Sequence, residues 1–114
     1  SRQVARYPDR LTAYCGGNPL KDYALAEIER CARDRYLRAG PKLHFGNSDV
    51  RLDDPDHLRR VQAVFGAANR RRMPVLVHLR PSVTKKRPYG APFARRFLED
   101  VLPRASRVPV QIAH

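Results

Sequence analysis

The chain has 114 residues, a length that accommodates one modest domain. Hydrophobic residues make up 42% of it, enough for a core, yet no apolar run approaches the roughly 18–20 residues that span a bilayer, which argues against a membrane-spanning helix. The net charge of +12, from 23 basic and 11 acidic residues, keeps nucleic acid among the partners to weigh, but the basic residues are scattered and no RNA- or DNA-binding motif with interleaved aromatics occurs.

The first strand is expected over Leu11–Cys15, after a turn at Tyr7–Arg10, and Gly16-Gly17-Asn18-Pro19 is expected to break it. The glycine pair lacks the spacing of a phosphate loop. From about Asp22 to Arg38 the pattern is helical, with Leu25, Ile28, Ala32 and Tyr36 on one face and Gly40-Pro41 as the stop. Cys15 and Cys31 have no metal-ligand spacing and fall in a strand and a helix. They read as buried free thiols rather than a disulfide, in keeping with a reducing cytoplasm. No signal peptide is visible, and the start at Ser1 without a methionine leaves room for an upstream part.

Pro41–Phe45 reads as a second strand, with Leu43 and Phe45 on one side and Lys42 and His44 on the other. Asp53 or Asp54 ahead of Pro55 starts a second helix, whose buried stripe is Leu58, Val61, Val64, Phe65 and Ala68. Arg70, Arg71 and Arg72 close it, where positive charge suits the helix dipole. Met73–Arg80 follows as a strand of aliphatic residues buried on both faces, running out at His78. The loop from Pro81 to Gly90 carries Lys85, Lys86 and Arg87 and is placed to shape a binding site. A third helix begins at Pro92, with Phe93, Phe97, Leu98, Val101 and Leu102 as its core face and Pro103 as its end. The last strand, Val108–His114, again finishes in histidine.

A strand–helix unit therefore recurs about every 30–36 residues, the size of a βα crossover. Right-handed crossovers make the strands parallel and send Cys15, His44, His78 and His114 toward one edge of the sheet. Ligands and metals gather at the carboxyl ends of parallel strands. His78 and His114 are the leading candidates: neutral imidazole ligates divalent cations and shuttles protons near neutral pH. His44 is weaker, being placed one residue before its strand end. His57 reads as a solvent-facing residue in the first turn of a helix, Lys42 as a snorkelling or buried lysine, and Asp49 as a turn residue.

The segments NPL (Asn18–Leu20), KLHF (Lys42–Phe45), PVLVH (Pro74–His78), the Tyr89-Gly90 loop and VQIAH (Val110–His114) resemble the amidohydrolase-related metal-dependent hydrolases, in the branch of aminocarboxymuconate-semialdehyde decarboxylase. The resemblance implies a TIM (β/α)8 barrel with a divalent metal, usually zinc, at its C-terminal mouth. Residues 1–114 would be one partial barrel domain, about strands 3 to 6, with the strand-1 His-x-His and the strand-8 aspartate lying outside it. His78 would ligate the metal. His114 would ligate it or act as acid/base beside it. Apart from the resemblance, His44, Lys85 and Arg87 are expected to contact substrate. The implied activity is hydrolysis of a C–N or C–O bond, or decarboxylation, of a small organic molecule through metal-activated water. Two other readings stand beside it: a basic α/β nucleic-acid-binding module, and a non-catalytic barrel piece that completes itself with a partner, as a homo-oligomer would.

Overall fold

Four short strands lie at the centre of the chain: β1 (Tyr14–Gly17), β2 (Gly40–His44), β3 (Val75–His78) and β4 (Val110–Ala113). The computed structural model describes residues 14–34, 40–79 and 91–113. All neighbouring strands are parallel and the sheet order is β1-β2-β3-β4. Helix α1 (Ala24–Arg33) falls between β1 and β2 in the chain. A single turn, α2 (Phe45–Ser48), and the long helix α3 (Pro55–Arg70) fall between β2 and β3. Helix α4 (Ala91–Arg96) precedes β4 and continues through a π turn, Phe97–Val101, into a 3-10 turn, Leu102–Ala105.

The hydrophobic core lies on one face of the sheet. Cys15, Leu43, Val75 and Val77 point into it and meet Ile28 and Cys31 of α1, Val61, Val64, Phe65 and Ala68 of α3, and Phe97 and Val101 after α4. Phe45, Phe97 and Phe65 form an edge-to-face chain through it, with centroids 6.0 and 5.6 Å apart. Lys42, His44, Leu76 and His78 alternate to the other face and do not join the core. The expected burial of β3 on both faces therefore holds for one face only.

The expected partial TIM barrel is corrected to an open α/β sheet with three main helices packed on one face. Its edges, β1 and β4, do not meet. A (β/α)8 barrel closes with eight tilted parallel strands, and the four here form an open sheet. The βα spacing in the sequence belongs to every parallel α/β arrangement, so it could not single out a barrel.

Several local expectations are also adjusted. Gly16 and Gly17 belong to β1, paired with Lys42 and Leu43, because the parallel ladder outweighs the weak strand preference of glycine. Gly40 opens β2 with φ +86°, and a Cβ there would collide with the Pro74 carbonyl oxygen. Its glycine character serves strand entry rather than a helix cap. In α1 the buried residues are Ile28 and Cys31 while Leu25 is exposed, so the apolar face is turned from the expected one. Tyr36 lies outside the described residues. After α4, buried positions Phe97, Val101 and Ala105 advance in steps of four. The π turn, in which Leu102 N–H donates to Phe97 O, adds the extra residue that keeps this stripe aligned and leaves Leu98 exposed.

Cys15 and Cys31 are disulfide-bonded, with Cα atoms 6.3 Å apart, against the expectation of free thiols. The seating of α1 over β1 brings together two residues that are 16 apart in sequence. The thiol argument for a reducing cytoplasm falls with that pairing. Among the described residues no helix is long and apolar enough to cross a membrane.

Candidate functional site

The strands deliver their last residues to one end of the sheet. The β2–β3 register sets Lys42 against Leu76, Leu43 against Val77 and His44 against His78. Both histidines end their strands and both sit on the face away from the helices. Their rings stack with centroids 5.0 Å apart and planes 7° apart. Across the other ladder, Leu76 pairs with Gln111 and His78 with Ala113. The result is a strip of Lys42, His44, Leu76, His78 and Gln111 on the face opposite the core.

Local structure fixes the strip in place. Directly after His44 the chain turns into α2, and Phe45, 1% exposed, anchors that turn in the core. Asp49 takes a left-handed conformation (φ 58°) just beyond it, in keeping with its expected role as a turn residue. The segment then runs to α3, whose N-cap is Asp54: its carboxylate accepts from the backbone N–H of Asp56 and His57. His57, expected to face solvent, is half-buried, and its Nδ1 accepts the Arg51 N–H at 2.9 Å. That bond ties the loop to the helix and accounts for His57 structurally.

Partial burial, then the neighbouring His44 and then Lys42 hold the His78 pKa below its ordinary 6.5. That shift favours the neutral imidazole, the form that accepts a proton or ligates a cation. Lys42, exposed beside it, supplies a positive charge that suits an anionic group.

Of the residues expected at the site, His78 and His44 are brought together as an in-register pair. His114, Lys85 and Arg87 lie outside the described residues. Two imidazoles meet, while among the described residues no group of three or more His, Cys, Asp or Glu converges. Parallel rings direct their lone pairs side by side rather than at one point, so joint ligation requires a turn about χ2, a soft torsion in histidine.

A separate concavity lies on the helix side of the sheet, between β1 and the start of α1. Asn18, Pro19, Tyr23 and Glu27 line it, together with Cys15 of the disulfide. It is separated from the imidazole pair by the thickness of the sheet.

No family model, curated protein or solved structure matches the chain.

Proposed function

We propose that the chain carries the imidazole half-site of a metal-dependent hydrolase or decarboxylase acting on a small organic anion. The observation behind this reading is the in-register stack of His44 and His78 at adjacent strand ends. His44 and His78 would hold a divalent cation, zinc by preference, whose bound water becomes acidic enough to supply hydroxide near neutral pH. Lys42 draws the anionic end of the substrate toward the strip. Leu76 gives the strip an apolar floor, and Gln111 offers an amide for orienting a polar group. The likeness of PVLVH and VQIAH to amidohydrolase-related segments adds to this chemistry and carries His114 along as a further ligand or acid/base. It does not bring the barrel with it.

Zinc titration by calorimetry tests the reading. Wild-type protein takes up one equivalent, and His44→Ala and His78→Ala each weaken uptake at least about tenfold. His57→Ala leaves it unchanged. Equal zinc affinity in wild type and His78→Ala would remove the metal from the proposal.

A further inference from the structure

The end of the sheet opposite the imidazole pair, where the strands begin, collects positive charge. Arg33 closes α1, Arg70, Arg71 and Arg72 close α3, and Arg104 and Arg107 flank the turn into β4; all six are exposed. The segments carrying them touch. Arg71 Nε lies 3.2 Å from Glu29 Oε2, joining the turn after α3 to α1. The Arg107 N–H donates to Asn69 Oδ1 at 2.7 Å, joining the turn before β4 to α3. The segments carrying the six arginines therefore lie together at one end of the sheet.

Elsewhere the described arginines are offset in part, Arg51 and Arg95 forming no ion pair with a described residue. Arg30, Arg59, Arg60 and Arg96 pair with carboxylates along their own helices, and Arg60 also reaches Asp22. Among the described residues, Arg71 alone of the edge group has a carboxylate within ion-pair distance. Helix dipoles favour some positive charge at these C-termini, but each terminus carries only about half a charge to offset. Six arginines exceed that.

Arg72 adds an independent observation. It occupies the left-handed position after α3 (φ 56°), with the Met73 N–H bonded back to Ala68 O at 2.9 Å. Glycine is the usual residue there, since it fits without strain. Here an arginine occupies that left-handed position, at a cost in backbone strain that glycine would avoid.

We infer that this arginine edge binds the phosphodiester backbone of double-stranded nucleic acid without reading its sequence. The guanidinium fork matches phosphate oxygens in pairs. With helices about 8–10 Å apart, the edge extends about 20 Å. Duplex DNA presents a charge about every 1.7 Å along its axis, so several phosphates come within reach. No aromatic residue occurs in 69–74 or 103–109, so these two connections offer no platform for stacking single-stranded bases.

The test is fluorescence anisotropy with a labelled 20-base-pair DNA of mixed sequence, over a salt series. The edge variant combines Arg70→Gln, Arg104→Gln and Arg107→Gln. A charge-matched control combines Arg51→Gln, Arg59→Gln and Arg95→Gln. The edge variant loses at least about tenfold in affinity at low salt, and its slope of log K against log salt falls by about three, one per phosphate contact removed. The control loses less than about threefold. Arg72→Gly melts at a higher temperature than wild type and yet binds more weakly, which separates binding from folding. The inference is overturned if wild type does not bind the duplex, if a single strand of equal length binds more tightly, if the control loses as much as the edge variant, or if Arg72→Gly binds as wild type does.

Discussion

His44 and His78 stack 5.0 Å apart because the β2–β3 register sets one directly beside the other at the ends of parallel strands. The lateral spacing of strands, about 4.8 Å, fixes the ring separation, and the alternation along each strand fixes the face. A one-residue slip of either strand would send one ring into the core and the other to the opposite side.

This pairing makes stability depend on pH. The folded chain lets His78 lose its proton at a lower pH than the unfolded chain does, through burial, His44 and Lys42. The unfolded chain thus binds more protons in that window, and stability rises with pH. The contribution is fully present above about 6.5 and is lost as pH falls through the folded value. Thermal melts between about pH 8 and pH 5 are expected to fall more steeply on acidification for wild type than for His78→Gln. Parallel curves would assign the acid sensitivity to other groups.

Gly40 is the most constrained backbone position at the start of a strand. Its φ of +86° and the Pro74 carbonyl facing it leave no space for a side chain. Gly40→Ala is expected to destabilise the protein by about 2–4 kcal/mol, read as a lowered urea midpoint with little change in slope. A loss below about 0.5 kcal/mol would mean that the β2 entry relaxes freely.

Much of this architecture is legible in the sequence. Val75-Leu76-Val77 announces a strand, Asp54-Pro55 announces the start of α3, and the stripe of Val61, Val64, Phe65 and Ala68 announces its buried face. What escapes local reading depends on partners distant in the chain. Gly17 pairs with Leu43, and Leu98 is exposed on a π turn that no local pattern announces. The prominence of His44 is set by register, which no single segment encodes. The βα period fixes parallel strands but leaves open whether the sheet closes, so the expected barrel gave way to an open sheet.

The disulfide is a further case. Cys15 and Cys31 close a loop spanning 16 positions, and loops of about that size stabilise by about 3 kcal/mol through the unfolded chain. Reduction, or Cys31→Ser, is expected to lower stability by about that amount and to loosen the concavity between β1 and α1 first. Guanidinium unfolding with and without reductant reads it. An unchanged midpoint would show that α1 stays seated without the bond.

The central claim, that His44 and His78 act as one unit, is tested most directly by imidazole NMR during a zinc titration. The chain has four histidines, so each ring can be assigned by substitution. The His44 and His78 signals are expected to move together and to saturate at one equivalent of zinc, while His57, held by the Arg51 N–H, stays in place. Unmoved signals from His44 and His78, or movement of only one of them, would contradict the account.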